Sequence, residues 1–305
     1  MGDLQKKAEF FAFRCLKSLF FLLPRSACLV AGETLGSVIY HADKKHRNVA
    51  ISNLNTAFGS RFSPSQKKRI ARASFRHFGR VLADILKIRH MNADKIISLM
   101  QAEGMEHLEK ALREGKGALV FSAHLGNWEL ATAIVSRIGK IHVIARPLDN
   151  RSLEEELIKI RKKLGATVIY KQQAARPVLR ALQSNAMVAI LIDQNVVRNQ
   201  AVFVDFFGKA AATTPGLAAF SLKSGAPIIP VFCIPAKKGR YHLKILQPLD
   251  ILLSGDEDTD VLKITQLCTN IIQNQIQENP DFWLWFHDRW KTRPEDEDRS
   301  RKKIT

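Results

Sequence analysis

From Gly117 onwards, short apolar runs alternate with longer amphipathic segments. Strand candidates are Ala118 to Ser122, Ile141 to Ala145, Thr167 to Tyr170, Met187 to Ile192, Ile228 to Ile234 and Tyr241 to Leu246. Helical spacing fills most of the intervals. A last long helix is expected over Thr259 to Glu278, with Val261, Ile264, Cys268, Ile271 and Ile272 on one side. This alternation predicts an α/β fold, a mostly parallel sheet flanked by helices. No linker rich in Gly, Pro or Ser divides the chain, which predicts one α/β domain with a helical N-terminal portion.

Upstream of Gly117 the apolar period is helical. In His46 to Phe58, Ile51, Leu54 and Phe58 share one face and Val49 lies off it. Ser63-Pro64 opens another helix, Ser65 to Arg89, with Ile70, Ala73, Phe78, Val81 and Ile85 on its apolar side. Glu9 to Pro24 is rich in Phe and Leu but carries Arg14 and Lys17, whereas a membrane span needs about 20 mostly apolar residues. A helix lying in the headgroup region, its cations snorkelling towards water, accommodates both facts. The run Ala27 to Tyr40, with Glu33 and two glycines, is an equally poor span. The competing readings are a buried core helix and a cleaved signal peptide. Against the latter, Leu23-Pro24-Arg25 stands where a small-x-small site belongs, although Ser26-Ala27-Cys28 follows. The chain thus divides into a membrane-interfacial, helical portion (1–115), an α/β catalytic region (116–294) and a charged tail (295–305).

Composition adds a partner class. With 47 Lys and Arg against 29 Asp and Glu, the chain carries a formal charge of +18, which predicts an anionic partner. Zinc-finger spacing, RNP-type aromatic motifs and long Lys/Arg blocks do not occur, which argues against nucleic acid and leaves an anionic membrane face or an acidic or phosphorylated partner. The four cysteines are far apart, so neither a disulfide framework nor a structural zinc site is indicated, and a reducing compartment fits.

The chemistry is expected where the first strand ends, in the stretch Gly117 to Leu130. His124 and Glu129 are too far apart in helical phase to share one helix face. With His124 in the turn and Glu129 in the first turn of the next helix, the carboxylate could fold back on one ring nitrogen and make the other a general base. Gly126 would let a substrate approach the backbone, and the helix N-terminus would face an oxyanion. The bland alternative is a pair of capping residues. Other strand ends carry Arg146, with Pro147 after it, and Asp193-Gln194-Asn195; the loop from Val202 to Gly216 holds Lys209 and ends in Thr213-Thr214-Pro215, with Thr214 as a helix cap. Ligands of open α/β sheets bind at such ends. Arg146 or Lys209 would hold a phosphate, a phosphopantetheine or a carbonyl oxygen, and Asp193 would orient that arginine or bind a sugar hydroxyl. Asn279 to Pro294 concentrates tryptophans with Arg289, Lys291 and Arg293, a composition suited to a membrane interface, a phosphosugar or nucleic-acid stacking, and equally to a core segment.

Taken together, the blocks His124-Leu125-Gly126-Asn127-Trp128-Glu129, Asp193-Gln194-Asn195, Val204 to Gly208 with Thr213 to Gly216, and Trp283 to His287 with Arg289-Trp290-Lys291 closely resemble the lipid A biosynthesis acyltransferases of Gram-negative bacteria. The N-terminal block Arg47-Asn48-Val49 through Ala57-Phe58 also resembles them, and the likeness covers roughly residues 8 to 294. The resemblance implies a glycerolipid acyltransferase-like fold and transfer of an acyl chain from an acyl carrier protein thioester. The acceptor would be a hydroxyl of an anionic glycolipid, a Kdo-bearing lipid A precursor, at the cytoplasmic face of the inner membrane. It further implies His124 as general base oriented by Glu129, and Gly126, Asn127, Arg146, Asp193, Gln194, Asn195, Lys209, Thr213, Thr214 and Arg289 around the substrates, with no metal, cofactor or acyl-enzyme. Glycerolipid acyltransferases share the His-x4-acid spacing, but this chain has Glu at the acid position and lacks their Pro-Glu-Gly-Thr block. Three alternatives remain: another glycolipid or phospholipid acceptor, with acyl-CoA as donor; a non-catalytic membrane or nucleic-acid binding protein; and a metal hydrolase using His124, Glu129 and His142.

Overall fold

The computed structural model describes residues 3–294; the charged tail lies outside them. The chain opens with helices α1 (Asp3–Leu22), α2 (Arg25–Ala42), α3 (Lys44–Phe58), α4 (Pro64–Ile88) and α5 (Ala93–Ile97). Their boundaries follow from capping chemistry. Pro24 separates α1 from α2, the Asp43 carboxylate accepts from the His46 N–H to start α3, and Ser63 and Gln66 form a reciprocal capping box ahead of α4. The helical readings of residues 46–58 and 65–89 hold to within a residue or two.

Next come β1 (Met100–Glu103), α6 (Met105–Arg113), β2 (Ala118–Ser122), α7 (Trp128–Ile138), β3 (Ile141–Ala145), α8 (Arg151–Lys163), β4 (Ala166–Tyr170), α9 (Ala175–Gln183) and β5 (Met187–Leu191). A hairpin of β6 (Val202–Phe206) and β7 (Lys209–Thr213) leads to α10 (Gly216–Ser224), β8 (Ile228–Pro235), β9 (Tyr241–Ile245) and α11 (Glu257–Glu278). Among the described residues the main sheet has seven strands in the order β1-β9-β8-β2-β5-β3-β4. Neighbours are parallel except for the antiparallel pair β8 and β9. The six expected strands are all present. Sequence pattern missed β1, four residues without a period that are strand because Met100 pairs with Tyr241. It also missed the hairpin, whose second strand is mostly alanine, a poor strand former.

Helices cover both faces of the sheet, so its central strands are apolar throughout instead of alternating. On one face Leu119 and Phe121 of β2 pack with Val188, Ile190 and residues of α9, α10 and α11. On the other, Ala118 and Val120 pack with Met187, Ile229 and residues of α6, α7 and α8.

The N-terminal helices hold together by close contact and buried charge. A Cβ on Gly36 of α2 would lie 2.1 Å from the Phe75 carbonyl oxygen of α4, and one on Gly79 would lie 2.1 Å from that of Gly32. The two glycines of the Ala27 to Tyr40 run therefore bring two backbones into contact. Arg25 grips the buried Asp84 carboxylate through Nε (2.7 Å) and Nη2 (3.0 Å), and the Tyr241 hydroxyl donates to the same carboxylate. One acidic group thus joins α2, α4 and β9. At the end of α1, Lys87 donates to the carbonyls of Phe20, Phe21 and Leu23. Phe20 is buried against Cys28 and Ala83, whereas Leu4, Phe11, Leu19, Phe21 and Leu22 are exposed. No described helix is long and apolar enough to cross a membrane.

The α2–α4 contact predicts a stability asymmetry between glycines. Gly36→Ala should cost about 1–3 kcal/mol by overpacking. Gly216→Ala, whose methyl would meet nothing closer than 3.6 Å, should leave the urea midpoint unchanged or raise it.

Candidate active site

β2 and β5 are parallel neighbours with Ser122 opposite Leu191. Two residues beyond each of these stand His124 and Asp193, so the register itself brings them together. Nδ1 of His124 is 2.8 Å from Oδ1 of Asp193, and the His124 backbone N–H donates to Oδ2 at 2.9 Å. The indole N–H of Trp283 donates to Oδ2 at 2.8 Å. Burial alone would raise the Asp193 pKa, but the charge and hydrogen bond of His124, the Trp283 N–H and the His124 backbone N–H override it and hold the carboxyl at about 2. An ionised acceptor on Nδ1 fixes the proton there and leaves the lone pair on Nε2. Gln194 Nε2 lies 3.3 Å from that nitrogen, and the Trp128 ring stands edge-on to the imidazole.

His124 opens onto a cavity of about 1000 Å³ whose wall includes Arg146, Lys171, Gln194, Thr214 and His287. Beside it lies a narrow, largely apolar pocket of about 70 Å³ lined by Val120, Ala131, Val135, Val143, Ala189 and Val231. Trp128 and Arg161 belong to the walls of both. An oriented imidazole, a broad cleft whose wall carries Arg146, Lys171 and Gln194, and an adjoining apolar slot suit activation of a hydroxyl next to a hydrocarbon chain.

Residues 4–292 match the family described as bacterial lipid A biosynthesis acyltransferase. The chain belongs to this family. Among its relatives is a lipid A biosynthesis palmitoleoyltransferase of Escherichia coli (strain K12), 25% identical over 90% of this chain and 89% of its own. A lipid A biosynthesis acyltransferase of Haemophilus influenzae is 27% identical over 87% of this chain and 81% of its own. A phosphatidylinositol mannoside acyltransferase of Mycobacterium tuberculosis (strain CDC 1551 / Oshkosh) is 28% identical over 72% and 69%. As a member of the family the chain is an O-acyltransferase.

Within this acyltransferase, several expected site residues have other duties. Glu129 does not hold His124: its carboxylate is gripped by Arg161, with Nη2–Oε1 at 2.6 Å and Nε–Oε2 at 3.1 Å. Both side chains are largely buried. Glu129 starts α7 and is matched by a cation from α8, while Asp193 reaches the imidazole first by strand register. Gly126, at φ +66°, serves packing, since a Cβ there would lie 2.0 Å from the Cys233 carbonyl oxygen. Its N–H donates to Phe282, and its carbonyl accepts from the buried His77, which desolvation holds neutral with a pKa of about 4. The Asn127 N–H donates to Cys233, and its side chain caps α7 at Leu130 and donates to the Tyr241 hydroxyl. The N–H groups of Gly126 and Asn127, just ahead of the helix N-terminus expected to face an oxyanion, are therefore occupied, as is that of Leu130.

Arg146 lines the cavity but is exposed and pairs with Asp149 at 3.2 Å, so Asp193 does not orient it. Lys209 is exposed on the hairpin, away from the cavity wall. Thr213 and Arg289 are buried against each other, Nη2 donating to the threonine hydroxyl at 2.5 Å and Nη1 to the Ala212 carbonyl at 2.6 Å. The Arg289 guanidinium stacks over Phe206, and desolvation lowers its pKa to about 10. These two lock the hairpin to the C-terminal segment and are not part of the cavity wall. Thr214 does reach the cavity, and its hydroxyl accepts from the Gly216 N–H at 3.4 Å where α10 begins, although Pro215 occupies the position just before the helix. Asn195 braces the wall, exchanging hydrogen bonds with Thr292 and donating its N–H to His287. The C-terminal tryptophans Trp283, Trp285 and Trp290 are core residues. Sequence reasoning missed Trp283, Arg161 and His287 as parts of the site. The two-residue spacing of Trp283 and Trp285 was the one available hint that this segment is extended, and Leu125 does pair with Trp283. No three described His, Cys, Asp or Glu side chains are grouped as metal ligands would be, and His124, Glu129 and His142 do not form the ligand set of a hydrolase.

The Glu129–Arg161 pair should behave as a structural ion pair. Glu129→Gln or Arg161→Gln alone is expected to cost about 3–5 kcal/mol, because each strands a buried charge, and the double variant should cost less than their sum in a denaturant-melt cycle. For Asp193 the folded pKa, about 2, lies below the ordinary 3.8. Its contribution is therefore complete above that ordinary value and lost as pH falls towards 2. Thermal melts below pH 5 should fall less steeply for Asp193→Asn than for the parent protein.

Proposed function

We propose that this enzyme transfers a fatty acyl chain from an acyl carrier protein thioester to a hydroxyl of a Kdo-bearing lipid A precursor, at the cytoplasmic face of the inner membrane. The observation carrying this reading is the His124–Asp193 pair beside the large cavity, with His124 in its wall, the lone pair left on Nε2, and no described cysteine in that wall. Such a site supports direct attack. Nε2 takes the proton of the acceptor hydroxyl, whose oxygen attacks the thioester carbonyl; the C–S bond breaks, and the thiolate leaves with that proton. Asp193 holds the ring and stabilises the imidazolium, the part assigned to Glu129 from spacing.

The apolar pocket beside His124 suits the end of an acyl chain, and the exposed Arg146 and Lys171 suit a phosphorylated acceptor or an acidic carrier. Membrane attachment rests on α1, whose exposed Phe11, Leu19, Phe21 and Leu22 lie among lysines. Asn150, just beyond the cavity-lining Asp149, donates to the Lys6 carbonyl and to Glu9, which ties α1 to the cavity rim. A second reading has a different glycolipid acceptor, with acyl-CoA as donor; its acceptor half draws on the mycobacterial relatives, whose name specifies phosphatidylinositol mannoside.

The test is purified protein in detergent micelles with a Kdo-lipid A precursor and a set of carrier-protein thioesters, read by mass spectrometry. The expected result is a gain of one acyl chain, reduced roughly 10²–10⁴-fold in His124→Ala. Acylation of a phosphatidylinositol mannoside instead, or from acyl-CoA alone, would transfer the assignment to the second reading.

A further inference from the structure

Direct attack on a thioester creates an oxyanion beside His124, and the N–H groups of Gly126 and Asn127 are already bonded to Phe282 and Cys233. The Gln194 amide lies against His124 Nε2, and the Arg161 guanidinium is held by Glu129. Resting on the acyl-transfer reading, we propose that His287 is the oxyanion donor of this site, its Nδ1–H binding the thioester carbonyl oxygen as it becomes negative.

Backbone hydrogen bonds fix the position of His287. The Leu284 N–H donates to the His124 carbonyl at 3.1 Å, and the His287 N–H closes the turn onto the Leu284 carbonyl at 3.2 Å. Asn53 of α3 donates to the His287 carbonyl at 2.6 Å. The residue is thus anchored to the backbone of the catalytic histidine on one side and to the helical portion on the other. Its ring is set by one bond: the Asn195 N–H donates to Nε2 at 3.0 Å. A backbone N–H can only donate, so Nε2 carries the lone pair and the proton of the neutral ring sits on Nδ1. Nδ1 meets no acceptor among the described residues and is not one of the buried atoms lacking a partner, and His287 belongs to the wall of the same cavity as His124. Successive residues, Gln194 and Asn195, touch one histidine each.

The two rings that share this cavity wall therefore carry opposite roles: His124 has its free lone pair on Nε2 and His287 its proton on Nδ1. Burial holds the His287 pKa below the ordinary value, against the opposing pull of the Asp193 charge and with the help of His124 and Arg289, so it stays a neutral donor while His124 becomes cationic. In the reaction the acceptor O–H proton passes to His124 Nε2 and the new C–O bond forms. The carbonyl electron pair moves onto oxygen, where Nδ1–H of His287 receives it. When the pair returns, the C–S bond breaks, and the thiolate takes the proton from His124. His287 neither gains nor loses a proton.

Two variants separate this role from bracing of Asn195. His287→Gln keeps an acceptor near Nε2 and removes the Nδ1 donor; His287→Asn keeps an N–H near Nδ1 and removes the acceptor. With a carrier-protein thioester and a Kdo-lipid A precursor, His287→Gln should lose roughly 10²–10³-fold in kcat with KM and melting midpoint near the parent's, and His287→Asn should recover most of that loss. The acid limb of the kcat/KM profile should keep its position in both. A His287→Gln enzyme within about 3-fold of the parent, or an acid limb that moves, overturns the proposal. Should His287→Gln fail to fold, a folded His287→Asn that is as impaired as expected for loss of an oxyanion donor overturns it too, and one within about 10-fold supports it. A parent protein that acylates nothing from any thioester removes the acyl-transfer reading, and this proposal with it; a working parent with an active His287→Gln removes this proposal alone.

Discussion

The Asp193 carboxylate is buried and ionised, a state that is tolerable only when its lone pairs are met by donors. Three donors arrive from two separate parts of the chain: the ring and the backbone N–H of His124 at the end of β2, and the indole of Trp283 near the end of the described chain. Compensating this one charge fixes the imidazole tautomer, the level of the turn after β2, and the course of the C-terminal segment over the site. Without it, the strand ends would still lie together by register, but nothing would choose which ring nitrogen faces the cleft.

The helical N-terminal portion completes this frame rather than standing apart from it. Ser74 and His77 of α4 bond to the carbonyls of Trp283 and Gly126, and Asn53 of α3 bonds to those of Trp285 and His287. Buried Asp84 reaches the same turn by way of Tyr241 and Asn127. The helices exposing apolar side chains to the exterior are thus continuous, through hydrogen bonds, with the residues that orient the His124 imidazole.

Much of the α/β architecture was legible because its central strands are covered on both faces, which writes them as unbroken apolar runs. His124 and Asp193 were equally legible as polar residues at strand ends. Their pairing was not, since it depends on β5 lying beside β2, and strand order is a property of packing. Proximity in sequence favoured Glu129, but Arg161, a distant residue on α8, had the stronger claim on that carboxylate. Arg289 shows the same failure from the other direction: a cation among aromatics suggests a ligand, yet its charge is absorbed by Thr213, Ala212 and the face of Phe206. Strand β1 and the alanine-rich β7 carry almost no local preference, and their partners alone make them strands.

The amide of Gln194, resting 3.3 Å from the basic nitrogen of His124, has a bearing on fidelity. A long, weak contact of this kind is worth on the order of 1 kcal/mol at most, which an acceptor anchored elsewhere in the cleft easily outweighs. A lone water has no such anchorage and must displace the amide by its own hydrogen bond, gaining almost nothing in the exchange. On the proposed reading of His124 as the base, the resting imidazole is in this sense latched, and the latch favours the molecule that arrives with binding energy of its own over the solvent that is always present.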